Sequence, residues 1–456
     1  MKIKHYSVLI LFFFFAINLS LGNNTIIKGK VKNLNGKTIQ LGYYEDFITF
    51  TVKWMDEVEI SNNQFQFDLS LDSTLQLLLQ IEDKQSSLFV EPNQVYNLGI
   101  YYDEIANQGR IHDKFLSLEF PFPKADNINL KIKKFNQAYE NLISDNLQKF
   151  AVNAAQVEVD AFVEQWEKQL KKLKPVFLKN YIRYSLANLE DINHQPQEKL
   201  YRKYLRDQAI LYHQKQYFNF FTQLYKKDFE QLTYTKKGSE ILKAIMIDQN
   251  LDETKKLLLR HKNFERSDFA EIYLIYGLFD VFHKKTVNQK TSLALLEKIS
   301  RSGENESNRQ IAGNVKNHLK KFTEKKVAAD FSLKNTAGEI VSLSDFKGQI
   351  VYLNFWTNWS ITSLKELQLI QKLDQKYGNK VAFISINLDE DEEIFKKVQK
   401  ENNYKWTFLH QGDNFELKTE YEIKGIPAYV LIDEQGKFIL PYAPGPLEIE
   451  PKLSKY

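Results

Sequence analysis

From residue 24 to about residue 102, apolar and polar residues alternate in short runs broken by Gly, Asn and Asp. A period of two puts every second side chain on one face, so residues 26–31, 38–43, 65–69, 75–81 and 88–90 read as strands. Asn35-Gly36 tolerates positive φ and predicts a hairpin turn. Several short strands at this spacing predict an all-β sandwich over residues 23–108. The period then lengthens. Phe162, Trp166, Leu170 and Leu173 share one helical stripe, and comparable stripes continue to Phe322, which predicts an all-α middle region over 109–324. The run 272–282, interrupted by Asp280, predicts a buried helix.

The last stretch, 327–456, mixes both periods and predicts an α/β domain. An apolar run, 351–356, predicts a buried strand; a short polar turn and a helix carrying Leu364, Leu367 and Ile370 follow. Residues 381–388 predict a second central strand, with a helix from about 391 to 402. Lys325-Lys326 reads as the linker into this domain, and a short segment, 447–453, closes it.

Residues 1–22 have the parts of a secretory leader: Lys2, Lys4 and His5 as a basic head, an apolar stretch centred on Leu11-Phe-Phe-Phe-Phe15, and small residues before a cut near Asn23. Beyond it no apolar run reaches spanning length, so the mature chain is expected to have no transmembrane span. The expected destination is the periplasm or cell envelope of a Gram-negative bacterium. The formal charge of +4, two units of which sit in the leader, is too small to suggest a nucleic-acid binder. There is no cysteine, so an exported form has no disulfide to staple it. The eight histidines are scattered without ligand spacing, and no glycine loop precedes a Gly-Lys-Ser/Thr. Neither a metal nor a cofactor is expected. The acidic run Asp389-Glu-Asp-Glu-Glu393 lacks the alternation of a calcium loop and suits a helix N-terminus. Lysines 171, 172 and 174 lie near Glu164 and Glu167 and read as a solvated helix face.

The blocks Ala329-Asp-Phe-Ser-Leu333, Asp345-Phe-Lys-Gly348, Val351-Tyr-Leu-Asn-Phe-Trp356 and Gly425-Ile-Pro-Ala-Tyr429 resemble, in order, the thioredoxin-like exported thiol:disulfide oxidoreductases of the TlpA/ResA type. The segments Ile27-Lys-Gly-Lys-Val31, Asn63-Gln-Phe-Gln-Phe67 and Leu88-Phe-Val-Glu-Pro92 resemble the small β-domain often found ahead of such domains. In that family the turn after the first central strand reads Trp-Cys-x-x-Cys; here Ser360 and Ser363 stand at the cysteine positions. A thiolate at a helix N-terminus attacks a disulfide and a second thiol resolves the product. A serine hydroxyl does neither, so thiol exchange is excluded within this chain.

The serines then have two readings. Ser363-Leu-Lys-Glu366 fits a capping box at the helix start. Alternatively, Ser360 or Ser363 is a nucleophile, which needs a base within hydrogen-bond reach, and His410 is the only histidine of the domain. Pro427 matches the family's cis-proline, and the resemblance implies that Ile426 before it offers its backbone to an extended peptide. Trp356 and Trp359 flank the turn, as aromatics beside a peptide groove would. The expected role is a non-catalytic binding or scaffold module for another envelope protein or an extended peptide. The competing readings are a non-thiol enzyme acting through Ser360 or the helical region, and a family member by ancestry alone.

Overall fold

The structure is a computed structural model describing residues 24–32, 34–103, 114–121, 127–284, 286–323, 326–389, 391–423 and 425–456. The leader at 1–22, the expected domain boundary near residue 108 and Lys325 lie outside the described residues.

Eight strands open the described chain: β1 (Asn24–Val31), β2 (Thr38–Tyr44), β3 (Val52–Glu59), β4 (Gln64–Ser70), β5 (Leu75–Ile81), β6 (Lys84–Val90), β7 (Val95–Tyr102) and β8 (Lys114–Glu119). They form one hydrogen-bonded row in the order β3-β2-β5-β6-β8-β7-β1-β4. The row curls until Ile27, Phe67, Leu79, Leu88, Leu98 and Leu116 share one interior, which gives a nearly closed, barrel-like sheet. The expected sandwich is therefore corrected. Alternation reports which face of a strand is buried, not which strands bond to each other. β8 also lies within the span expected to be helical, 109–324. Gly36 turns the chain at φ 77, but β1 bonds to β4 and β7 while β2 bonds to β3 and β5, so Asn35-Gly36 closes no hairpin.

The middle region is helical as expected, from α1 (Ile128–Asp145) to α12 (Glu306–Lys321). Its axis is α10 (Ser267–Val281), where Phe269, Ile272, Leu274, Ile275, Leu278 and Val281 are all buried. Gly277 lets the Phe229 ring lie directly on this helix; a Cβ there would come within 2.4 Å of the ring. The barrel is keyed into this core by the loop after β2. Buried Asp46 accepts hydrogen bonds from the backbone N–H groups of Ile48 (2.9 Å) and Thr49 (2.6 Å) and from Asn314 Nδ2 of α12 (3.0 Å). Those bonds hold Phe47 and Ile48 inside the helical core. Nearby, Asn129 of α1 exchanges two 2.8 Å bonds with the backbone of Phe89 in β6.

The C-terminal domain is a mixed α/β thioredoxin-like fold. Its sheet contains β9 (Ser332–Asn335), β10 (Ile340–Ser342), β11 (Ile350–Trp356), β12 (Val381–Asn387), β13 (Thr407–His410), β14 (Ala428–Ile432) and β15 (Phe438–Leu440), in the order β10-β9-β13-β12-β11-β14-β15. β11 is buried on both faces, which explains why it reads as a continuous apolar run. One face packs against α13 (Ile361–Tyr377) and α14 (Glu392–Glu401), the other around Phe355, Leu409 and Tyr421. The short closing segment forms one turn of helix, Glu450–Leu453.

Asp83, between β5 and β6, joins the barrel to this domain. It lies 2.8 Å from Lys114, 3.0 Å from Lys84 and 3.9 Å from Lys418, the last from the C-terminal domain. Burial alone would raise its pKa, but the ammonium groups of Lys114 and Lys84 outweigh burial and hold it below the usual aspartate value. The stability from ionised Asp83 is thus fully present above the unfolded pKa and is lost as pH falls through the lower folded one. In urea titrations the wild-type midpoint should drop progressively below about pH 4. Asp83→Asn should be less stable by about 3 kcal/mol at pH 7 and flatter across that acid window; an unchanged acid profile in the variant would contradict the assignment.

Candidate functional site

One end of the C-terminal sheet gathers the residues singled out by sequence. β11 runs parallel to β12 with Trp356 opposite Asn387, and antiparallel to β14 with Phe355 opposite Ala428. The turn 357–360, residues just past β12, the end of β13 and the segment entering β14 therefore meet at the carboxyl edge of the central strands. The Ile426–Pro427 bond is cis, and Ile426 lies ahead of the β11–β14 ladder.

Ser360 is nearly buried and caps α13: its Oγ accepts the Ser363 backbone N–H at 3.2 Å. The expected capping box is shifted, with Ser360 as the cap and Ser363 inside the first turn. Ser363 is buried, and its hydroxyl has no hydrogen-bond partner among the described residues. Glu366, expected to complete the box, instead accepts a hydrogen bond from the Tyr429 hydroxyl of β14. That contact ties α13 to the strand following Pro427. Burial, then the bond to Glu366, push the Tyr429 hydroxyl pKa far above its ordinary value, so it stays a donor.

The two tryptophans separate. Trp356 is fully buried beneath α13 with its ring 5.9 Å from Phe408, so its expected place in a groove is corrected to the core. It ends a strand covered on both faces, and no side chain of that strand reaches solvent. Trp359 is 49% exposed, and Ile361, on the other side of Ser360, is 71% exposed. Ile361 was not singled out by sequence; an apolar residue at the first position of a helix is the signal that would have found it.

Asp389 was read as part of an acidic helix start, yet it organises the turn. It is buried, and its Oδ2 accepts from the Asn358 backbone N–H and from Asn387 Nδ2, each at 2.7 Å. Burial raises its pKa, and the bonds from Asn387 and Asn358 offset that in part. His410 does not reach Ser360 as a base. Its Nε2–H donates to the Asp389 carbonyl at 2.9 Å, and its Nδ1 accepts the Gly412 N–H at 3.1 Å. Both ring nitrogens are occupied, and burial lowers its pKa below the usual histidine value, which keeps the ring neutral. Among the described residues the site thus holds a hydroxyl engaged as a cap, a second hydroxyl without a partner, and a histidine bonded away from both. Without a cysteine it cannot perform thiol exchange within this chain.

Residues 325–439 match the AhpC/TSA family. The thioredoxin-like protein YneN of Bacillus subtilis is 34% identical over 110 residues, which are 24% of this chain and 65% of that protein. The thiol-disulfide oxidoreductase ResA of Bacillus thuringiensis is 33% identical over 115 residues, 25% of this chain and 66% of that protein. In both cases the chain spans slightly less than two thirds of the relative's length. ResA of Oceanobacillus iheyensis is 30% identical over 132 residues, covering 28% of this chain and 68% of that protein.

The two serines should respond differently to truncation. Ser360→Ala removes a helix cap and should cost about 1 kcal/mol in chemical denaturation. Ser363→Ala removes a buried hydroxyl that has no partner and should be neutral or slightly stabilising. Equal losses at both positions would contradict the shifted cap.

Proposed function

Because this chain belongs through its C-terminal domain to the AhpC/TSA thioredoxin-like family, related to the ResA thiol-disulfide oxidoreductases, and has no cysteine, we propose that it is a non-catalytic module holding an extended peptide segment at the end of β11. The observation that carries this reading is the pair of exposed apolar side chains, Trp359 and Ile361, on either side of a serine committed to capping. An exposed Trp beside a strand end is a common anchor for a partner, because its large rigid surface is buried at little entropic cost.

Ile426 supports the same reading. It precedes Pro427 outside the β11–β14 ladder, which supports reading its backbone as the partner of an added extended segment. Ordered backbone on one side and an apolar anchor on the other suit a chain lying across the turn. The engaged state of His410 argues against a serine enzyme. The expected partner is another envelope protein, met after export. The leader-like residues 1–22 support that destination, and a cysteine-free chain folds without an oxidising compartment.

Purified protein should show no disulfide-reductase turnover with dithiol as reductant. Apolar extended peptides should bind, and Trp359→Ala should weaken them by about 2 kcal/mol in fluorescence polarisation. Reductase turnover by the isolated chain would remove the proposal; so would peptide affinity indifferent to Trp359.

A further inference from the structure

A groove of about 960 Å³ lies on the outer face of the barrel and shares no residue with the turn at the end of β11. Its floor is β1, with β4 bonded on one side and β7 on the other. Alternation along β1 sends Ile27 and Val31 to the interior and Lys28 and Lys30 to this outer face. Lys32 follows just past the strand, with its ammonium 5.9 Å from the centre of the Tyr101 ring. All three lysines are exposed, as are Gln64, Gln66 and Asn97 beside them, so no described element lies over this face.

A solvated sheet face gains stability by setting opposite charges across neighbouring strands. This one does not. Lys28 stands between Gln66 and Asn97, and Lys30 between Gln64 and Gly99. None of the three lysines forms an ion pair among the described residues. The carboxylates that line the groove are Glu59 of β3 and Glu119 of β8, and both leave the lysines unpaired. Gly99, opposite Glu119, has no side chain and so keeps a gap between that carboxylate and Lys30. Asp68, next along β4, accepts from Gln66 Nε2 at 2.9 Å instead. The side-chain amides of Gln64 and Asn97 have no partner among the described residues, which leaves donors and acceptors beside the row of cations.

Charge and spacing select the ligand. Alternate residues of a strand stand about 6.5 Å apart. An extended peptide has the same repeat, so acidic side chains at its alternate positions fall in step with Lys28, Lys30 and Lys32. A second copy of this chain is disfavoured, because two such faces brought together would set lysines against lysines. We propose that this groove binds an extended acidic peptide segment carrying Asp or Glu at alternate positions. Its carboxylates meet the three lysines, and its backbone meets the amides of Gln64 and Asn97.

The test uses the full chain and synthetic peptides in which threonine alternates with glutamate, glutamine or lysine, plus one with its glutamates in a single block. The alternating glutamate peptide should shield Lys28, Lys30 and Lys32 from acetylation, read by mass spectrometry, and its binding should weaken as salt rises. The glutamine and lysine peptides should give no shielding. Lys28→Gln with Lys30→Gln should weaken the glutamate peptide at least about tenfold at an unchanged urea midpoint, whereas Lys28→Arg with Lys30→Arg should keep it. Equal binding of the block peptide would reduce the site to general charge attraction and overturn the proposal. So would shielding confined to other lysines, salt-independent binding, or binding of polygalacturonate with none of the peptide. Because the shielded lysines all belong to the barrel, failure here leaves the reading of the Trp359 turn untouched.

Discussion

The hydrogen bond from the Ser363 N–H to Ser360 Oγ decides what the C-terminal domain can be. A helix start leaves backbone N–H groups without partners, and something must satisfy them. In a redox site that field is directed at a sulfur and lowers its pKa. Here the same field is met by a hydroxyl that accepts a bond and stays uncharged. The helix N-terminus here is an ordinary cap. Asp389 steadies the same turn, because its carboxylate accepts the Asn358 N–H.

What the sequence disclosed follows from how local each feature is. β11 and β12 were legible because strands buried on both faces read as largely apolar runs. The α10 helix was legible for the same reason. β3 was not: Val-Lys-Trp-Met-Asp-Glu-Val-Glu has no clean alternation, because an edge strand exposed on both faces imposes none. The barrel was mistaken for a sandwich because β1 pairs with β7, some 70 positions away, and no local pattern specifies that partner. At the site, Ser360 and Ser363, Trp359 and the cis bond at Pro427 could be located from sequence. The positioning role of Asp389 could not, since it depends on β11 and β12 lying side by side. Trp356 and Trp359 stand three residues apart and look equivalent in sequence; only the end of β11 separates core from surface.

The three parts are joined by polar contacts set beside apolar ones. Asp46 holds a loop whose Phe47 and Ile48 sit in the helical core, and Asn314 of α12 closes its hydrogen bonding. Asp83 gathers lysines from the barrel and from the C-terminal domain. Each acid is buried, so neither tolerates loss of its partners, and relative orientation is specified more tightly than apolar packing alone would require. Lys418, Lys84 and Asp83 place the barrel beside the loop that follows β13, at the same end of the sheet as the turn.

The helical region also contacts the loop that leads to Pro427. Glu422, at φ 48 in the loop leading to Pro427, accepts from the Tyr442 hydroxyl and lies 2.9 Å from His318 Nε2 of α12. Tyr442 packs in turn against His283 and Phe322, at ring separations of 4.9 and 6.0 Å. The loop ahead of Pro427 is therefore anchored on α12 as well as on its own sheet, where Tyr421 and Ile423 are buried. α12 is in turn bonded through Asn314 to Asp46 of the barrel, so one helix touches both flanking parts. One helix bonded to both neighbours fixes their relative orientation, because neither can turn without breaking a polar contact that packing alone would not replace.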